Sequence, residues 1–95
     1  MDLLAALKER TLLLDGAMGT ELISRGFRPG GPPEEWNATR ADEITAIHGA
    51  YFAAGSDIVQ TNTFGGSRQK LAAYGAGDRA TELNEAAARI AVAVR

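Results

Sequence analysis

Residues 11–20, TLLLDGAMGT, join an apolar run to a glycine-containing turn, and the predicted fold depends on this stretch. The run Leu12–Leu14 does not alternate with polar residues, which is typical of a short strand buried on both faces of a parallel sheet. We therefore predict a strand over 11–15. Gly16 and Gly19 then allow a tight turn into a helix over about 18–25.

A second apolar run, at 57–61, follows another predicted helix. Thr39 is the predicted N-cap of that helix, with Asp42 as its capping-box partner, and Gly55 is predicted to end it. The run at 57–61, DIVQT, then reads as a second strand. A strand, a crossover helix and another apolar strand make a βαβ unit, which implies a parallel sheet and an α/β fold.

The rest of the chain predicts helices and one long loop. Helices are expected over about 2–10, 67–74 and 79–94; Gly75 is predicted to end the second, and Asp78 to cap the third. The Gly/Pro-rich segment 26–33 can only be loop. The buried stripe predicted for the last helix consists of Leu83, Ala87, Ile90 and Val94. Two strands do not complete a sheet, so we expect residues 1–95 to be the truncated amino-terminal part of a larger domain.

Composition excludes several classes of function. The formal net charge is -2, with 23% charged residues, so no basic face for nucleic acid or an anionic membrane is expected. The longest apolar run is far shorter than the roughly 20 residues of a membrane span. The amino terminus lacks the pattern of a secretory signal, and a cytoplasmic protein is expected. The chain has no cysteine, which excludes disulfides and thiolate metal ligands within it.

Three segments carry a family resemblance: LDGAMGT at 14–20, IHGAYFAAGSD at 47–57 and QTNTF at 60–64. In order and spacing they resemble the homocysteine-binding domain of cobalamin-dependent methionine synthases and related homocysteine S-methyltransferases. The resemblance covers about residues 11–94 and implies a (β/α)8 TIM barrel, of which this chain would supply about two βα units. Such a barrel takes about 250 residues.

The resemblance also implies a reaction and its cofactors. Family members hold zinc with cysteines, and the metal keeps the homocysteine thiol as a nucleophilic thiolate that attacks a methyl group. Those cysteines lie outside this sequence, so the chain alone is expected to be inactive. Betaine-using relatives carry an aromatic residue where Gly65 stands here. The implied methyl donor is therefore methyl-cobalamin or another methyl-corrinoid, methyltetrahydrofolate or S-methylmethionine.

By similarity to the family, the backbone around Asp15, Gly16 and Ala17 would receive the carboxylate of homocysteine. The alternative is that the two glycines of this segment only make the turn. Asn62 and Thr63 would offer polar groups after the second strand, and Phe64 would offer an apolar wall. Alternatively, Asn62 caps the strand and Phe64 belongs to the core.

The remaining candidates read as structural. His48 is the only histidine and lies on a helix between apolar residues, so a core role is predicted rather than a metal ligand. Trp36 and Asn37 could border the site, or Trp36 could only pack the preceding loop in place, and the sequence does not separate the two. Glu34, Glu35 and Arg79 are predicted to be solvated surface residues.

Two hypotheses about function follow. The first is a part of a zinc-dependent homocysteine S-methyltransferase that forms methionine. The second is a non-catalytic chain that binds a ligand, or assembles with a partner or with itself through the open edges of its predicted strands.

Overall fold

The architecture is helical. A computed structural model describes residues 2–95. Within that range the chain forms α1 (Leu3–Glu9), α2 (Gly19–Ser24), α3 (Trp36–Thr39), α4 (Ala41–Ala53), α5 (Arg68–Ala72) and α6 (Ala80–Val94), with short 3-10 helices at Pro33–Glu35 and Gly77–Arg79. Four of the predicted helices, those at 2–10, 18–25, 67–74 and 79–94, are confirmed as α1, α2, α5 and α6 with shorter ends.

The predicted stop signals are confirmed by the backbone. Gly55, after α4, has a φ of 115°, and Gly75, after α5, has a φ of 74°. These values lie where side chains with a Cβ are strained, so glycine ends both helices. Ser67 caps α5, because its hydroxyl accepts a hydrogen bond from the Lys70 N–H at 3.1 Å.

Two predicted N-caps are wrong. Thr39 is the last residue of α3, a short helix that the sequence did not reveal, and its hydroxyl donates to the Glu35 carbonyl at 3.2 Å. The helix therefore starts later, at Ala41, without a side-chain cap. Asp78 lies inside a 3-10 turn, and α6 begins at Ala80. In both places the residue predicted as a cap belongs to a short helix that directly precedes the longer one.

The predicted strands, and with them the α/β fold class, are wrong for the described residues. Between 2 and 95 the two apolar runs form only an isolated parallel bridge, Leu14 with Ile58, and no strand. Backbone bonds join Asp15 N–H to the Ile58 carbonyl at 3.0 Å and Asp57 N–H to the Leu13 carbonyl at 2.8 Å. A sheet needs further neighbours, which this part of the chain does not provide. The prediction of two βα units of a TIM barrel is therefore replaced by a helical assembly.

An ion pair between Arg10 and Asp57 also joins the two bridged segments. Arg10 donates to both carboxylate oxygens of Asp57, at 3.1 and 2.9 Å, and Asp57 also accepts from the Leu13 N–H at 3.0 Å. The guanidinium of Arg10, and then the Leu13 N–H, lower the pKa of the Asp57 carboxyl. The two runs are thus held side by side, although Leu13 and Leu14 each remain 57% exposed.

The core lies where α2, α3, α4 and α6 meet. Its main cluster consists of Leu22, Trp36, Ile44, Ile47 and Ile90, and a smaller one of Leu71, Ala76 and Leu83. The stripe predicted for α6 is confirmed at Leu83, Ala87 and Ile90, which are buried. None of the helices in the described range is both long enough and apolar enough to cross a membrane.

Candidate functional site

A cavity of about 640 Å³ opens beside the bridged segments. Its wall is formed by the turn after residue 14, the start of the 3-10 helix at Pro33–Glu35, the segment 60–65 and α5 with the residues that follow it. Of the residues predicted as a site, the structure places Asp15, Gly16, Asn62 and Phe64 in this wall. Ala17 and Thr63 lie next to them in the chain but do not line the cavity.

Asp15 is the polar residue at the base of the turn. One carboxylate oxygen, Oδ2, accepts a hydrogen bond from the Gln60 N–H at 3.1 Å. The other, Oδ1, is buried and finds no partner in the described part of the chain. A buried carboxylate oxygen without a donor is destabilising.

The backbone of the turn is arranged by Tyr51 of α4. The Tyr51 hydroxyl donates to the Ala17 carbonyl at 2.7 Å. A Cβ added at Gly16 would lie 3.2 Å from the same hydroxyl oxygen, and Gly16 does not have a positive φ. Glycine is therefore needed here for close approach to the tyrosine. The Gly16 and Ala17 N–H groups form no hydrogen bond to any residue within 2–95, which leaves two donors free.

Asn62 is held in a buried amide network. Its Nδ2 donates to the Pro33 carbonyl at 3.0 Å and to Asn37 Oδ1 at 3.1 Å. Asn37 in turn donates to the Asn62 carbonyl at 2.9 Å and to the Leu83 carbonyl at 3.2 Å. These bonds tie the 60–65 segment to the Pro33 turn and to α6. Asn37, a predicted candidate for the border of the site, does not line the cavity and instead pairs with Asn62, a partner for which the sequence carries no local signal.

Thr63 and Phe64 differ in their surroundings. The hydroxyls of Thr63 and Thr61 are 2.7 Å apart and share a hydrogen bond, which stabilises the turn. Phe64 is 95% exposed, and the Lys70 ammonium lies 4.7 Å from its ring centroid. Phe64 therefore belongs to the cavity wall and not to the core of the described chain.

Glu34 was predicted to be a surface residue, and this is wrong. It is 2% exposed and lines the cavity. Its Oε2 accepts the Gly65 N–H at 2.7 Å, while Oε1 is buried with no partner among residues 2–95. The neighbouring Glu35 instead pairs with Arg79 at the surface. The sequence holds no feature that separates these adjacent glutamates, because their environments are set by the tertiary position of the 3-10 turn.

His48 and Trp36 both belong to the core. His48 is fully buried, as predicted for a structural residue, and burial lowers the pKa of its imidazole, an effect that Asp15 partly opposes. Trp36 is buried against Phe27 of the preceding loop, with ring centroids 5.7 Å apart in an edge-to-face arrangement. This geometry agrees with the loop-packing alternative for Trp36.

The residues present do not fit a zinc site. The sequence has no cysteine, and its one histidine is enclosed in the core. Across residues 2–95 no group of three or more histidine, cysteine, aspartate or glutamate side chains is arranged to hold a metal. Such a group is the least that protein zinc sites use.

Comparison with known proteins places the chain in a family. The family model for homocysteine S-methyltransferase matches residues 12–95. A methionine synthase of Mycobacterium tuberculosis is 41% identical over 98 aligned residues, which cover 95% of this chain and 8% of the relative. A methionine synthase of Mycobacterium leprae is 40% identical over 92 residues, covering 88% of this chain and 8% of the relative. The chain thus spans about a twelfth of the length of these relatives. It belongs to the homocysteine S-methyltransferase family.

Proposed function

We propose that the cavity binds the amino-acid end of homocysteine within a methyltransferase that forms methionine. The observation that carries this proposal is the turn at Asp15 and Gly16 in the cavity wall, where the N–H groups of Gly16 and Ala17 have no hydrogen-bond partner in the described residues. An amino acid carries one cationic and one anionic group on the same carbon. A carboxylate beside two N–H donors complements that pair of charges.

In this arrangement the substrate carboxylate accepts hydrogen bonds from the Gly16 and Ala17 N–H groups, and its ammonium lies against Asp15. Tyr51 fixes the turn through the Ala17 carbonyl, so the two donors are oriented before the substrate arrives. The hydrogen bonds of Asn62 and Thr63 stabilise the segment 60–65 on another side of the cavity. Phe64 supplies apolar surface for the substrate's methylene groups.

The reaction proposed for the whole enzyme is attack of the homocysteine sulfur on a methyl group. The sulfur–carbon bond forms as the bond to the donor breaks, and the thiol gives up its proton. Because the described residues do not fit zinc, any zinc ligands in this proposal come from outside the chain. The contribution of these 95 residues is to bind and orient the substrate.

The proposed donor is a methyl-corrinoid, methyltetrahydrofolate or S-methylmethionine. The space beside Gly65 argues against the aromatic residue of betaine-using relatives. A Cβ at this position would lie 3.2 Å from Glu34 Oε2, so even alanine would require the Glu34 carboxylate to shift by a few tenths of an ångström.

The test is homocysteine binding by the full-length protein that carries this chain, measured by calorimetric titration with Asp15→Asn as the variant. Asparagine is close in shape but removes the charge that faces the ammonium. Losing a charge-assisted hydrogen bond, about 1.5–3 kcal/mol, should weaken binding roughly tenfold or more. Glu21→Gln, a change on α2 whose residue does not line the cavity, is the control and should bind like the wild type. Unchanged affinity in a folded Asp15→Asn protein would reject the proposal.

A second candidate function is association with another protein surface. Leu13 and Leu14 are each 57% exposed and Ile23 is 59% exposed, and burial of such apolar side chains against a partner would be favourable. Sedimentation of the chain over a range of concentrations tests this proposal. A constant monomer mass at all concentrations would count against self-association.

A further inference from the structure

The cavity is larger than the substrate proposed for it. Its volume is about 640 Å³. The eight non-hydrogen atoms of homocysteine would fill about 240 Å³ if each took the roughly 30 Å³ of a molecule in liquid water. More than half of the cavity therefore stays open when homocysteine is bound. Methyl transfer needs a second molecule there, because the sulfur and the methyl carbon must come within about 3–3.5 Å of each other.

The wall has a part that binds the substrate in the proposed function and a part with no role so far. The turn at Asp15 and the segment 60–65 make up the first part. The second part consists of Lys70, Ala73 and Tyr74, on α5 and the turn that follows it, where Ala73 keeps helical backbone angles. Residues three and four apart lie on one face of a helix. This face is open to the second molecule of the reaction.

The side chains of this face are accessible. Tyr74 is 54% exposed, and Phe64 on the neighbouring segment is 95% exposed. The Lys70 ammonium, 4.7 Å from the Phe64 ring centroid, forms no ion pair with any residue between 2 and 95. Lys70 is also the one basic side chain among the described residues of the wall. Aromatic surface with an unpaired ammonium beside it fits a flat ring that has oxygen acceptors at its edge.

We infer that Tyr74 and Lys70 bind the methyl donor, and that this donor carries its methyl group on a flat ring system bordered by oxygen acceptors. The inference rests on the proposed function. The ring packs against Tyr74, and the Lys70 ammonium donates to an acceptor oxygen. The sulfur–carbon bond then forms as the bond from the methyl group to the donor breaks; the donor keeps the electron pair, and the thiol proton goes to solvent. Corrin and reduced pterin donors share this chemistry, whereas S-methylmethionine has no ring.

The test is calorimetric titration of the full-length protein that carries this chain, with each ligand added alone so that no methyl transfer takes place. The ligands are homocysteine, methyltetrahydrofolate, methylcobalamin and S-methylmethionine. Tyr74→Ala removes the aromatic ring, Tyr74→Phe retains it, and Lys70→Gln removes the charge. Arg68→Gln is the matched control, because Arg68 is an exposed cation on the same helix that does not line the cavity.

We expect the wild type to bind methyltetrahydrofolate or methylcobalamin, and the one that binds identifies the ring. For that donor Tyr74→Ala should raise the Kd about tenfold, while Tyr74→Phe should stay within about twofold of the wild type. Lys70→Gln should raise the donor Kd about fivefold, because a charge-assisted hydrogen bond is lost. Arg68→Gln should leave the donor Kd unchanged, and the homocysteine Kd should be the same in all four variants.

Three results would overturn the inference. The first is a wild type that binds neither ring-bearing donor, whether or not it binds S-methylmethionine. The second is a parallel rise in the homocysteine Kd, which would assign the residues to the shape of the whole cavity. The third is an unchanged donor Kd in Tyr74→Ala or in Lys70→Gln. In each case homocysteine binding by the wild type leaves the proposed function standing, and its absence would reject that function as well.

Discussion

Two pairs of polar side chains form hydrogen bonds to the segment 60–65, and the pairs differ in how many of their polar atoms have a partner. The asparagine pair, Asn37 and Asn62, forms four hydrogen bonds to carbonyl oxygens of the surrounding segments and of each other. The carboxylate pair, Asp15 and Glu34, each has one oxygen bonded and one buried without a partner. Fully paired polar groups stabilise a fold. The two unpaired oxygens, like both ring nitrogens of His48, are buried without a partner in the described residues, and each such atom lowers the stability of the fold.

The largest difference between the two pairs should appear in stability. Asn37→Ala removes two donors and one acceptor, which leaves the Asn62 side chain and two buried carbonyls with fewer partners. We expect a loss of about 3 kcal/mol in the free energy of unfolding. Glu34→Gln should change it little, since the Gly65 bond persists and an uncompensated charge is removed. Denaturant unfolding of both variants provides the measurement.

An equal loss of unfolding free energy in Asn37→Ala and Glu34→Gln would contradict this prediction. It would mean that the carboxylate pair stabilises the fold as much as the asparagine pair does. Thr45→Ala, on α4 and away from both pairs, controls for the general effect of a polar-to-alanine change. Its hydroxyl bonds only the Ala41 carbonyl one turn back, so a small effect is expected.

A smaller effect is expected at the turn itself. Gly16→Ala places a Cβ 3.2 Å from the Tyr51 hydroxyl, and relieving that contact should cost about 1–2 kcal/mol of stability. Gly19→Ala is the matched control three residues away, since nothing lies within 4 Å of its Cβ position. Thermal melts of the two variants should therefore differ. Equal melting temperatures would show that Tyr51 moves aside without strain.

The smallest expected effect is a dependence of stability on pH. Burial lowers the pKa of His48 below its ordinary value of 6.5, with Asp15 acting in the opposite direction. The unfolded chain therefore binds a proton more readily than the folded one once the pH falls below 6.5. The stability associated with neutral His48 is fully present above that pH and declines as the pH falls toward the folded pKa. His48→Leu should flatten this decline in denaturant unfolding measured at several pH values, and an unchanged slope would contradict the assignment.

Local signals in the sequence predicted the helices well and the sheet poorly. Gly55 and Gly75 end helices because their backbone conformation excludes a Cβ, and the α6 stripe follows from helical spacing alone. The apolar run Leu12–Leu14 was interpreted as a strand. Strand formation depends on neighbours along both edges, and the described chain provides only the single bridge at Leu14.

The candidate site could be predicted only where a local motif marks its residues. Asp15 and Gly16 stand in a motif that resembles the family, so their position in the cavity wall could be expected. Glu34 and Glu35 are neighbours of the same type, yet one is buried at the cavity and the other pairs with Arg79. Only the packing of the 3-10 turn against Gly65 distinguishes them. That contact joins residues far apart in the chain, and no local pattern encodes it.

The most direct test of the account is whether the free N–H groups of Gly16 and Ala17 receive the substrate carboxylate. Amide proton and nitrogen chemical shifts of these residues, recorded on isotope-labelled full-length protein during titration with homocysteine, report on this contact. The account predicts downfield proton shifts at both residues with homocysteine, and none with 3-sulfanylpropan-1-amine, which keeps the thiol and the amino group but lacks the carboxylate. Saturating homocysteine that leaves both amide signals in place would contradict it.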